Sequence, residues 1–149
     1  MKKKQKDSNR IKEKGFTLIE MLIVMVIIGL LAALVGPRMF GKVEKSKQKA
    51  AKAQIALFET ALDTYRLDVG KYPTTDMELQ ALRVRPEDVE KWDGPYLPKE
   101  IPLDPWGHSY EYRSPGEHGE YDILSLGADG SPGGDGVDAD IVSWKDIGG

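Results

Sequence analysis

Apolar residues fall into three patterns along the chain. Residues 16–35 are apolar almost without interruption, and Glu20 is the sole charge among them. At about 1.5 Å rise per residue, a helix of that length matches the roughly 30 Å hydrocarbon core of a bilayer. The stretch therefore predicts a membrane-spanning helix over residues 16–36. Past Gly36-Pro37, the residues Ala51, Ile55, Phe58, Leu62 and Tyr65 recur at 4-3-4-3 spacing, which lines one face of a helix. That helix is expected to run on from the span to Val69 and to stop at Gly70. Pro37 lacks an amide hydrogen and crowds the preceding turn, so a kink or a locally unwound segment is expected between Gly29 and Pro37.

After Gly70 the pattern shortens. Thr75-x-x-Glu78 resembles a capping box opening a short helix through Leu82. Residues 83–101, with Pro86, Pro95 and Pro98, read as a loop in which Trp92 and Tyr96 cover the helix face. Asp104-Pro105-Trp106-Gly107 carries the residue types of a type I turn. Strands are expected over residues 108–113, 120–126 and 140–144, the first two joined by a turn at 115–119. The sum is an α+β fold: a long N-terminal helix, transmembrane in its first half, packed on a small antiparallel sheet of about three strands.

Charge gives the span a direction. The first fifteen residues hold seven of the 21 basic residues and two of the 24 acidic ones. A short basic leader next to an apolar run stays on the cytoplasmic side, so the remainder is exported. Arg38, Lys42, Lys45, Lys47 and Lys49 follow the span and pull the other way, but the leader is short and immediately adjacent. Without the leader the chain carries 14 basic and 22 acidic residues, a net of −8, which argues against nucleic acid as a partner. There is no cysteine, hence no disulfide framework and no thiol nucleophile. His108 and His118 are the only histidines, and no serine sits in a Gly-x-Ser-x-Gly setting. His118, between Glu117 and Glu120, reads as an exposed turn residue rather than a metal ligand. Nothing points to an enzyme.

A secretory signal would place its cleavage site after the apolar region, but here Gly15-Phe16 precedes it. The apolar run is therefore expected to remain in the mature chain. A lone carboxylate near a membrane interior costs a few kcal/mol, so Glu20 needs a partner or a role. Gly15-Phe16-Thr17-Leu18-Ile19-Glu20 resembles the leader junction of type IV pilins and pseudopilins. The resemblance implies cleavage between Gly15 and Phe16 by a prepilin peptidase and methylation of the new Phe16 amine. It also implies pairing of Glu20 with the Phe16 amine of a neighbouring subunit during assembly. A buried carboxylate and a buried ammonium are tolerable as such a hydrogen-bonded pair.

A second informative stretch is the segment 126–140. It is rich in glycine and aspartate and nearly without apolar side chains, so its own composition cannot offset the roughly 1–2 kcal/mol per residue that ordering a backbone costs. It is either floppy or bound to something. Hard oxygen ligands on glycine-rich turns suit calcium better than magnesium, although the aspartate spacing is not that of an EF-hand. Tyr72-Pro73-Thr74, Asp104-Pro105-Trp106-Gly107, Ser125-Leu126-Gly127-Ala128-Asp129-Gly130 and Asp140-Ile141 together resemble the major pseudopilin family of the type II secretion system, over essentially the whole chain. In that family a calcium ion orders the loop. The resemblance carries its ligands to the carbonyls of Leu126 and Ser131 and the side chains of Asp129 and Asp140. Where the family often has a further acidic residue this chain has Ala139, which leaves Asp138 as the first substitute and Asp135 as the second.

The resemblance implies three regions: a leader, residues 1–15; a transmembrane assembly helix, 16–36; and a periplasmic pilin-like domain, 37–149. It implies a structural subunit that polymerises into the periplasmic pseudopilus of a type II protein secretion system, anchored in the inner membrane by a single pass. The implied partners are further copies of the chain, minor pseudopilins, the prepilin peptidase, the inner-membrane assembly platform with its ATPase, and an outer-membrane secretin. The alternatives are a type IV pilin of a surface fibre and a membrane-anchored calcium-binding module that never polymerises. The missing C-terminal cysteine pair and the short mature chain count against the first.

Overall fold

The computed structural model describes residues 15–147; the leader expected at residues 1–15 lies outside them except for Gly15. The chain divides into two compact units, one ending at Met39 and the other beginning at Phe40, three residues past the boundary expected from sequence. The first helix, α1 (Leu18–Val69), continues through both.

In the first unit α1 is helical through Gly29, Gly36 and Pro37. Of the kink or unwound segment expected there, the unwinding is absent. Proline forfeits one hydrogen bond, but its fixed φ is itself helical, and the neighbouring turns keep theirs. Every large apolar side chain from Phe16 to Val35 is exposed, Val24 least at 46%.

In the second unit the 4-3-4-3 face does what its spacing predicts. Ala51, Ile55, Phe58, Leu62 and Tyr65 are all buried, each large side chain contributing about 1.5–3 kcal/mol. Gly70, at φ +90, ends the helix with its N–H on the Arg66 carbonyl, a left-handed position that glycine occupies without a Cβ clash. Three short strands, β1 (Glu111–Arg113), β2 (Asp122–Ser125) and β3 (Ile141–Val142), form an antiparallel sheet in the order β1-β2-β3. Tyr112 pairs with Ile123, and Ser125 with Ile141. Tyr110, Tyr112, Ile123 and Ile141 join the helix face in one core, with the Tyr110 ring edge-on to Phe58 at 5.1 Å.

The strands are shorter than the alternating pattern predicts, because turns consume their ends. The capping box is a second correction. Residues 75–82 form two 3-10 turns, Thr75–Met77 and Leu79–Leu82, broken at Glu78 with φ 53. The Thr75 hydroxyl instead serves the far side of the sheet, accepting from the Ser114 N–H and donating to the Ser114 carbonyl. The loop expected at 83–101 is present; Tyr96 lies edge-on against Tyr65 of α1, while Trp92 Nε1 donates to the Ala81 carbonyl in the second 3-10 turn.

Candidate functional site: the N-terminal junction and the acidic loop

Two places carry the residues singled out above, one in each unit. At the first, Glu20 Oε2 accepts from the Thr17 N–H (2.8 Å) and the Thr17 hydroxyl (3.0 Å), while the Thr17 Oγ1 accepts from the Glu20 N–H. This is a reciprocal capping box across Thr17-x-x-Glu20. It satisfies donors at the start of α1 that a membrane would leave orphaned, and it gives Glu20 a local partner. Threonine three residues before glutamate is the readable signal for it. Gly15 and Phe16 precede the helix outside regular secondary structure, with Phe16 83% exposed.

The second place is the loop between β2 and β3. Asp104 and Ser125 hold its entry. The Asp104 carboxylate is buried and accepts from the N–H groups of Trp106 and His108, and from the Ser125 hydroxyl at 2.6 Å. The Gly107 N–H closes the predicted turn on the Asp104 carbonyl. His108 then lies under the loop, with Nδ1 3.2 Å from the Gly127 carbonyl oxygen. A Cβ on Gly130 would come within 2.9 Å of the His108 ring, and one on Gly134 within 2.5 Å of the Asp138 carbonyl oxygen. The loop thus folds closely on itself and on the turn, with Gly127, Gly130, Gly133, Gly134 and Gly136 all at positive φ. Its far end is tied to α1 by Gln48, whose Nε2 donates to the Gly136 carbonyl at 2.6 Å.

Within the loop, Asp129 Oδ1 accepts from the Ser131 N–H and Asp140 Oδ2 from the Gly133 N–H. Asp140 Oδ1 is buried with no partner. An unpartnered carboxylate oxygen inside a glycine-rich loop suits a hard cation, since desolvation is otherwise uncompensated. Among the described residues no group of three His, Cys, Asp or Glu side chains converges. Asp129, Asp138 and Asp140 therefore do not form a carboxylate triad, and an ion here would draw on backbone carbonyls such as those of Leu126 and Ser131. Asp135 caps the short 3-10 turn Gly136–Asp138 through its carbonyl, which accepts from the Asp138 N–H.

His118 is engaged on two sides. Its Nδ1 lies 3.1 Å from Asp122 Oδ2, and its ring stacks on Trp144 with centroids 3.8 Å apart. Burial alone would raise the Asp122 carboxyl, but hydrogen bonds from His118 and the N–H groups of Glu117 and His118 outweigh it and hold the group below its ordinary range. Sequence reading missed the His118–Trp144 stack because the two residues are 26 positions apart. The Trp106–Glu44 bond was likewise out of reach; Trp106 Nε1 donates at 2.8 Å and, with Lys47, keeps the Glu44 carboxyl below its ordinary range.

Comparison with known proteins identifies the family. The family described as "Type II secretion system (T2SS), protein G" matches residues 38–144. The chain belongs to this family. The prokaryotic N-terminal methylation motif matches residues 10–36, which brackets the Gly15–Glu20 junction. Among protein G relatives, the type II secretion system core protein G of Vibrio cholerae is 47% identical over 137 residues, covering 90% of this chain and 93% of that one. The core protein G of Pseudomonas aeruginosa is 44% identical, over 91% and 97%. The crystal structure of the major pseudopilin from the type 2 secretion system of enterohaemorrhagic Escherichia coli superposes with a TM-score of 0.61 at 34% identity, covering 72% of this chain and 95% of that one. Membership of the protein G family makes the chain a structural secretion-system subunit, a major pseudopilin with the fold described above.

Proposed function

We propose that the chain enters the inner membrane with its basic leader inside, is cleaved between Gly15 and Phe16, is methylated on the new amine and polymerises through α1 into the pseudopilus. The observation that carries this reading is the surface of residues 16–35: apolar on every side, uncovered, with Glu20 its one charge. Such a surface needs lipid before assembly and neighbouring helices after it. The Thr17 box keeps Glu20 satisfied in the single chain. On assembly the carboxylate exchanges those donors for the charged Phe16 amine of a neighbour, a stronger, charge-assisted bond. Other pseudopilins and the inner-membrane assembly platform are the partners this role requires. Mass spectrometry of the chain from cells with an active secretion system tests maturation: a mature N-terminus at Phe16 carrying one methyl group is expected, and an intact leader would overturn the reading.

The second element of the proposal is a calcium ion in the loop 126–140, held by the Asp129 and Asp140 carboxylates and the Leu126 and Ser131 carbonyls, with Asp138 as a further oxygen donor. The buried, unpartnered Asp140 Oδ1 supports it. The ion would supply positive charge that orders the loop against the His108 turn. Free calcium at 100 times its dissociation constant would add about 2.7 kcal/mol to folding, a large share for a small domain. Thermal unfolding with calcium and with chelator checks this, beside Asp129→Ala. A chelator-induced drop that the variant lacks is expected, and an identical midpoint in both conditions would remove the ion from the account.

A further inference from the structure

Asp140 Oδ1 is buried and unpartnered, so whatever fixes Asp140 decides where that oxygen points. β3 begins at the next residue but is only two residues long, with Val142 opposite Leu124 and Ile141 opposite Ser125. A ladder that short does not anchor a loop by itself, and the loop has almost no apolar side chains to bury.

Two side chains of α1 supply the rest. Gln48 and Lys52 stand one helical turn apart, at i and i+4 on one face. Gln48 is buried, and its Nε2 donates to the Gly136 carbonyl at 2.6 Å, four residues before Asp140. The Lys52 ammonium donates to the carbonyls of Val142, Ser143 and Lys145 at 2.7, 3.3 and 2.6 Å, starting two residues after Asp140. An ammonium has three N–H groups, and here there is a carbonyl for each. Lys52 is half-buried, and among the described residues it enters no ion pair. Its charge is directed at backbone dipoles alone. Without it, three carbonyl oxygens would face one point with no donor, and the turn that aims them there would lose its reason. The segment is stiff on its other sides. The Ser143 N–H donates to the Ile123 carbonyl, the Ser143 hydroxyl oxygen accepts from the Ile123 N–H, and Trp144 stacks on His118. Lys52 therefore fastens a firm piece of chain to α1, not a loose end.

We propose that Gln48 and Lys52 are positioning residues for the ion: from one face of α1 they hold the segment 136–142 on both sides of Asp140, keeping the loop in its ion-binding shape. The proposal rests on the calcium reading of the loop. Linkage makes the effect reciprocal, so whatever these contacts add to ion affinity, the ion adds to the contacts.

The test uses the full chain in detergent micelles. Calcium binding is measured by titration calorimetry, and amine labelling of each lysine is followed by mass spectrometry with calcium or with chelator. Lys52→Met keeps a long apolar stem and removes the donors; Gln48→Met does the same at the other end. Each should weaken calcium binding about tenfold or more, as loss of partners that orient metal ligands does. Removing a positive charge near a cation would by itself tighten binding, so the sign separates positioning from charge. In the unsubstituted chain calcium should slow labelling of Lys52 about tenfold, while Lys71 and Lys99, exposed elsewhere on the domain, keep their rates. That readout stands even where a variant fails to fold, and an anchor without a link to the ion would not give it. Equal or tighter binding by Lys52→Met, or Lys52 labelling indifferent to calcium in a chain that binds it, would overturn the proposal and leave the ion in place. Absence of calcium binding by the unsubstituted chain would remove the ion and the proposal with it.

Discussion

Asp104→Ala is expected to be among the most damaging single changes in the second unit, although the residue sits in a turn. Its carboxylate accepts three hydrogen bonds, from the N–H groups of Trp106 and His108 and from the Ser125 hydroxyl. Alanine leaves all three donors without an acceptor. Trp106 and His108 are half-buried, so water recovers part of the loss there, but Ser125 is fully buried. At roughly 1–3 kcal/mol for each buried unsatisfied group, less where water enters, the sum is about 3–5 kcal/mol. A domain of this size has about 5–15 kcal/mol in hand, and each kcal/mol moves its midpoint by about 4–8 °C. A fall of roughly 15–25 °C is therefore expected in thermal unfolding followed by circular dichroism. Asp104→Asn keeps an acceptor for the two amides and can donate to Ser125, so it should cost only about 1 kcal/mol. Ser125→Ala removes one partner, and the double variant with Asp104→Ala should cost less than the two singles added, because they share a bond. A midpoint within a few degrees of the parent for Asp104→Ala would refute the idea that this carboxylate organises the loop entry.

Two further outcomes follow from the same geometry. The Asp122 carboxyl is depressed in the folded state, so the stability it contributes is present above the unfolded value of about 3.9 and is lost as pH falls below it. Asp122→Asn should flatten the acid limb of a stability-against-pH curve below about pH 4, and an unchanged limb would contradict the assignment. Gly134→Ala puts a Cβ 2.5 Å from the Asp138 carbonyl oxygen at φ +81, a strain of about 1–3 kcal/mol. It should lower both the midpoint and calcium affinity by calorimetry, and wild-type values for both would show that the loop is looser than described.

What could be read in the chain beforehand was whatever is periodic or contiguous. The helix to Val69, its buried face, the Gly70 stop and the Asp104 turn all follow from spacing or from four adjacent residues, so local rules suffice. The misreading at Thr75 came where a residue had two competing partners. Thr75 matches a capping box by spacing, yet its hydroxyl bonds Ser114, 39 residues away, and Glu78 is left at positive φ. Pro37 breaks helices in general, but one missing bond within 52 residues of α1 does not break this one. At the candidate sites, Glu20 and the aspartates were visible as charges that lacked an evident reason. Thr17, three residues before Glu20, was also within reach of a local rule, whereas His108, Gln48 and Ser125 were not, because each looks ordinary until its distant partner is placed beside it.

The central claim is that α1 assembles the filament and that Glu20 directs the assembly. It is tested most directly by expressing the chain and its Glu20→Leu variant in cells with the other secretion components, then comparing sheared filaments by electron microscopy with the membrane-bound pool by immunoblotting. Leucine makes the helix more apolar, so insertion and cleavage should continue while filaments disappear. Normal filaments from the variant would contradict the account, because α1 would then assemble without the one charge that its apolar surface retains.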